Sequence, residues 1–191
     1  SEARRHTAMV RLRQDQPADA VRVLEDLLES ESELSEDLRL ASLLNLGEAY
    51  VRQSEMDFAQ QQRKLVKAIA TFDKVLLSRK SRRVWKNEAA VRKGDCLERI
   101  SATDDALVEY YDVVNRSPND RLRDDEVPEY DWFYRAGFSA INLLMKEKKW
   151  RPAFRLAERL ADTSGPRAQE AAELANRLSL QHFLWKEKPQ G

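Results

Sequence analysis

Apolar residues in this chain recur every three or four positions, in short segments that break off at a proline or at a hydroxyl followed by acids. That spacing gathers apolar side chains on one face of a helix, and helices this short bury the face only by packing on one another. Pro17, Pro152 and Pro166 stand at expected helix starts, where the amide hydrogen that proline lacks is one the first turn leaves unpaired anyway. Ala20, Val23, Leu24, Leu27 and Leu28 follow the first of them, and Ala153, Phe154, Ala157 and Leu160 the second. Ser35 ahead of Glu36 and Asp37, and Thr103 ahead of Asp104 and Asp105, mark two further starts as N-caps before acids that suit the positive helix end. Only five glycines and six prolines interrupt 191 residues, and no stretch alternates with the period of a strand. The expected fold class is all-α, with helices near 2–14, 17–30, 36–53, 57–79, 83–100, 104–116, 130–147, 151–162 and 167–184, and an extended loop over 117–129.

Charge narrows the range of partners. The 33 basic and 33 acidic side chains cancel, so no net field draws in nucleic acid or an acidic membrane. One cysteine, Cys96, permits neither an internal disulfide nor a thiolate metal cage. No stretch approaches the roughly 20 apolar residues that span a bilayer, so membrane insertion is not expected. The chain opens at Ser1 directly into helical sequence, which reads as a piece of a longer protein whose leading segment, with any targeting signal, is missing. The compartment stays open between cytoplasm and periplasm or cell envelope.

Self-similarity is clearest over residues 87–120. Ala90, Gly94, Leu97, Ala106, Tyr110, Val113 and Pro118 stand at the fourth, eighth, eleventh, twentieth, twenty-fourth, twenty-seventh and thirty-second places of a 34-residue unit. These residues resemble the tetratricopeptide repeat (TPR) family. Counted from Ser1, the same places give Ala8, Ala20, Leu24 and Leu27, with Arg4 and Arg11 at two positions usually apolar. A second unit opens at Leu40 with Leu43, Leu46, Gly47 and Tyr50 and resumes with Ala68, Phe72 and Val75 after nine extra residues. Phe58, Leu65, Ile69, Phe72 and Leu76 continue one face, so the excess is expected to lengthen the second helix of that pair by about two and a half turns, roughly 13 Å. The last unit keeps Trp150, Ala153 and Leu160 but has Gly137 four residues early. The segments "WFYRAGFSAINLL" and "SGPRAQEAAELANRLSLQHFLW" look like the closing portion of long bacterial TPR proteins. The resemblance implies a right-handed superhelix of about four antiparallel helix pairs, in units near 1–34, 40–82, 87–120 and 130–167, closed by a capping helix over 167–184. Small residues at the eighth and twentieth places, such as Gly94 and Ala106, would let paired helices approach.

The same resemblance implies a non-catalytic scaffold that lays a partner polypeptide on its concave face. The implied face includes Glu48, Arg52, Val91, Asp95, Arg99, Phe138, Asn142 and Met145. Arg5, Asn45 and Arg92 match places where members that hold acidic peptide tails carry basic and amide groups. Met9 and Glu88, however, stand where that pattern has an amide and a cation, and Glu48, Glu88 and Asp95 would repel a bound carboxylate. The alternative is a structural subunit of a cell-envelope or multiprotein assembly, docked through its ends or edges. No cofactor or metal is expected: His6 and His182 lie at opposite ends of the chain, Cys96 lacks the surroundings of an activated nucleophile, and the glycines are dispersed singly. The basic run Arg79, Lys80, Arg82, Arg83 and Lys86 around Trp85 reads as a solvated turn, and the cluster Tyr130, Trp132, Phe133 and Tyr134 as packing between repeats. The expected partner is another protein or peptide, and the chain itself a monomer or weak oligomer.

Overall fold

The computed structural model describes residues 1–30, 34–116, 118 and 128–184. Among them are nine α-helices, one 3-10 turn and no strand. In order these are α1 (Glu2–Arg13), α2 (Pro17–Ser30), α3 (Glu36–Met56), a 3-10 turn (Phe58–Gln60), α4 (Gln61–Leu77), α5 (Arg83–Arg99), α6 (Thr103–Asn115), α7 (Tyr130–Lys146), α8 (Trp150–Ala161) and α9 (Ala168–His182). The expected loop over 117–129 falls almost wholly outside the described residues. No described helix is long and apolar enough to cross a membrane. The chain divides into two compact units, Ser1–Glu109 and Tyr110–Gly191, with the boundary inside α6.

Helix starts follow the chemistry read from the sequence, with small shifts. Pro17 is the first residue of α2, and the Ser35 side chain caps α3 by accepting the Leu38 amide at 3.3 Å. Thr103 is already helical, and α8 begins at Trp150, which puts Pro152 later in the first turn, where its missing donor still costs nothing.

Within the first unit each helix packs on the next from α1 to α5, and α3 also touches α1 and α5. Ala20, Leu24 and Leu27 on α2, Leu40, Leu43 and Leu44 on α3, and Leu65, Ala68, Phe72 and Val75 on α4 form one continuous core. In the second unit α8 packs on both α7 and α9, around Phe133, Tyr134, Phe154, Leu160 and Leu178.

Three turns are built alike. After α1, α5 and α7 the chain passes through a left-handed residue, Asp15, Ser101 and Lys148, with φ of 59°, 64° and 59°. In each, the next amide reaches back across the turn: Gln16 to the Arg11 carbonyl at 2.9 Å, Ala102 to Leu97 at 2.9 Å, Lys149 to Leu144 at 2.8 Å. A second amide closes a tighter loop inside it, as in Asp15 to Leu12, Ser101 to Glu98 and Lys148 to Met145. This is the Schellman arrangement, which satisfies carbonyls that a helix end leaves open. Each turn then delivers a wholly buried alanine at the same interval: Ala20 after Asp15, Ala106 after Ser101, Ala153 after Lys148.

The α3–α4 hairpin departs from that plan and corrects one expectation. The extra residues do not sit in the second helix alone. With 21 residues α3 outruns the 17 of α5 and α7, while α4 has 17 and starts at Gln61, after a break at Asp57 and the 3-10 turn. Phe58, which continued the apolar period, is 80% exposed, so periodicity there outlasts burial. Small residues also act differently from the expected small-on-small contact. A Cβ on Gly47 would stand 2.4 Å from the Phe72 ring, and one on Gly137 would stand 2.5 Å from Leu160, so each glycine is a seat for a large side chain of the following helix. That explains Gly137 despite its shifted register. Gly94 and Ala106 are both buried.

Candidate partner-binding face

Two helices of the first unit present polar ladders. Asn45, Glu48, Arg52 and Glu55 recur at helical spacing on α3, and Glu88, Arg92, Asp95 and Arg99 on α5. Because α3 packs on α5, the ladders join. Arg92 donates to Glu48 across the interface and to Glu88 on its own helix at 3.0 Å, while Arg52 Nε donates to Glu48 at 2.9 Å. Farther along, Arg99 donates to Glu55 at 3.1 Å and to the Ser54 hydroxyl at 3.2 Å. The structure therefore gathers Glu48, Arg52, Arg92 and Arg99 into one network, with Glu88, Glu55 and Ser54 as partners that sequence reasoning did not assign. Two guanidinium groups face two carboxylates around Glu48, which leaves the patch close to neutral.

Asn45 and Arg5 stand apart from this network. Asn45 on α3 is half-buried, and its Nδ2 is buried with no hydrogen-bond partner; the same holds for Arg5 Nε on α1, the helix that flanks α3 on its other side. Ser42 Oγ on α3 and Asn87 Oδ1 on α5 are buried and unpartnered as well. An unsatisfied buried polar atom costs about 1–3 kcal/mol, so such atoms are uncommon without a purpose.

Val91 corrects the expected face. It is wholly buried, as are Ala89 and Ala90 before it, because α5 is packed by α3 on one side and α4 on the other. It offers nothing to a partner. Asp95 is half-buried beside Cys96, whose thiol burial pushes up to about 12, with Asp95 adding to the effect. The thiol is thus protonated near neutral pH and no nucleophile. Phe138, Asn142 and Met145 lie on α7, in the second unit. Asn142 is exposed and Met145 half-buried, but Phe138 is flanked by Tyr134 at 6.2 Å between ring centroids and covered by the Arg167 guanidinium at 4.2 Å.

The remaining clusters are structural. Arg82 pairs with Asp37 at 2.7 Å and lies over Trp85, which packs against the first unit's core. Phe133 and Tyr134 are buried, and the Tyr134 hydroxyl donates to the Thr163 carbonyl at 2.9 Å. His182 stacks on Trp150 with centroids 4.0 Å apart. On α5, Lys93 bridges Asp73 at 2.7 Å and Glu109 at 2.8 Å, tying it to α4 and α6. Among the described residues no group of three His, Cys, Asp or Glu side chains is arranged to hold a metal ion. No protein-family model matches this chain, and no curated protein is similar to it in sequence.

Proposed function

We propose that the chain is a TPR-like array of antiparallel helix pairs, without catalytic activity, that binds a partner polypeptide on the face formed by α1, α3 and α5. The matched turns at Asp15, Ser101 and Lys148, and the alanines that follow them, support the array. Binding rests on a single observation: Arg5 Nε and Asn45 Nδ2, on adjacent first helices of their pairs, are donors taken out of water with nothing to donate to. A partner that displaces the side chains covering these two nitrogens and supplies two acceptors would repay that cost. Main-chain carbonyls suit the site better than an acidic tail, because the neighbouring Arg92 is already engaged by Glu48 and Glu88 and lends little net attraction for a carboxylate.

Affinity capture with the intact chain, followed by titration of the captured partner against variants, tests this reading. Asn45→Ala and Arg5→Met are each expected to weaken binding about tenfold. Full affinity in both would sink the inner face as the docking surface.

A second reading, a structural subunit docked through an edge, is favoured by the exposed Met56 and Phe58 at the end of the long α3–α4 hairpin, 53% and 80% accessible. Solution mass separates the two. A stable oligomer dispersed by Phe58→Ser supports edge docking, and a monomer supports the scaffold.

A further inference from the structure

Between α2, α3 and α4, within the first unit, lies a cleft of about 410 Å³. That volume falls in the range of about 300–1,000 Å³ usual for small-molecule sites. Leu28 of α2 and Leu43 of α3 belong to its apolar lining. Charges of both signs stand in the same lining: Glu25 and Glu29 from α2, Glu36 and Arg39 from α3, and Lys74 from α4.

These charges do not neutralise one another. The side chains of Glu29, Arg39 and Lys74 form no hydrogen bond or ion pair with any described residue, although they line one cavity. Arg39 is half-buried, so water compensates its guanidinium only in part. Glu25 and Glu29 stand four residues apart on the last two turns of α2, so their charges repel one another and both lie toward the negative helix end. The Arg4 guanidinium of α1 donates to Asp26 at 3.4 Å and to the Ser30 hydroxyl at 3.0 Å, and to neither glutamate. Neutral hydroxyls serve the other carboxylates: Tyr50 donates to Glu25, and Ser78 to Glu36 at 3.0 Å. Burial, then the Glu25 hydrogen bond and the charges of Glu25 and Glu29, raise the Tyr50 pKa. The phenol therefore stays a donor that orients the Glu25 carboxylate without cancelling its charge.

We propose that this cleft binds a small zwitterion, an apolar amino acid or dipeptide with free termini. Its ammonium lies against Glu25 and Glu29, its carboxylate against Arg39 and Lys74, and its aliphatic side chains on the leucines. A simple cation would leave Arg39 and Lys74 unmatched, and a phosphate-bearing ligand would meet three carboxylates, those of Glu25, Glu29 and Glu36. Arg5, Asn45 and Arg92 take no part in the cleft, so the site stands or falls separately from the partner-binding face.

The test is isothermal titration calorimetry of the full chain with three probes: leucyl-leucine, its N-acetylated form and its C-terminal amide. The unblocked dipeptide is expected to bind, and loss of either terminal charge to weaken it about tenfold or more. Glu29→Gln and Lys74→Gln are expected to weaken it as well, each by about fivefold. Both residues are exposed, so these variants keep the fold, which circular dichroism verifies. The proposal is overturned if leucyl-leucine does not bind, if either blocked form binds as tightly, or if both variants retain full affinity. Equal binding of the amide in particular would reduce the cleft to a site for cations alone.

Discussion

Cys96 is 1% exposed, and its thiol is held near pKa 12 where an unburied one ionises near 9.0. A group whose pKa is higher folded than unfolded contributes fully below its unfolded value and loses that contribution as pH rises toward its folded one. The window here runs from pH 9.0 to about 12. Between roughly pH 8 and 10 the wild type should lose about 1 kcal/mol more than Cys96→Ala, read from urea midpoints at the two pH values. Equal losses would mean the thiol is not sealed. Residue chemistry of this kind was legible in part. Glu48, Arg52, Arg92 and Arg99 were placed on the face by the family resemblance, but Arg92 and Glu48 are 44 residues apart, and no spacing rule within one helix pairs them. Val91 was misplaced for the same reason, since one step around α5 separates a groove position from an enclosed one.

Helices were readable because apolar period, N-terminal prolines and hydroxyl caps act within a few residues of one another. Turns were not. The left-handed positions carry Asp15, Ser101 and Lys148 rather than glycine, and lysine in particular gives no turn signal. Each of these side chains is strained in that conformation, whereas glycine adopts it freely. Ser101→Gly and Lys148→Gly are therefore each expected to stabilise the protein by about 0.5–1 kcal/mol in urea unfolding, less the entropy glycine restores to the unfolded chain. A loss of stability would show that the side chains hold the turns in some other way. The α3–α4 hairpin was misjudged because a continuous apolar stripe from Phe58 to Leu76 predicts a helix that starts at 57, whereas α3 runs on to Met56 and Phe58–Gln60 forms a 3-10 turn ahead of α4.

For the molecule as a whole, division into two compact units, and packing of α1 to α5 in the first and of α7 to α9 in the second mainly on sequence neighbours, make stability a local property. Gly47 offers a way to perturb one unit alone. Phe72 is wholly buried, so Gly47→Ala must displace a ring that has nowhere to go, at a cost of about 1–3 kcal/mol. Hydrogen exchange should then quicken in α3 and α4 while α8 and α9 keep their protection. Uniform acceleration across the chain would mean that the units unfold as one. Most of the helices were legible in the sequence; the division into two units was not, because Ala106 and Tyr110, on either side of the boundary within α6, obey the same spacing.

The three matched turns also govern where such a chain can tolerate growth. From left-handed residue to buried alanine the interval never varies, so an added residue there would rotate the following helix off its neighbours. The hairpin that lacks this turn is the one that has already been enlarged. The segment around Asp57 is accordingly the natural splice point for a grafted epitope or reporter, while the other hairpins are closed to insertion.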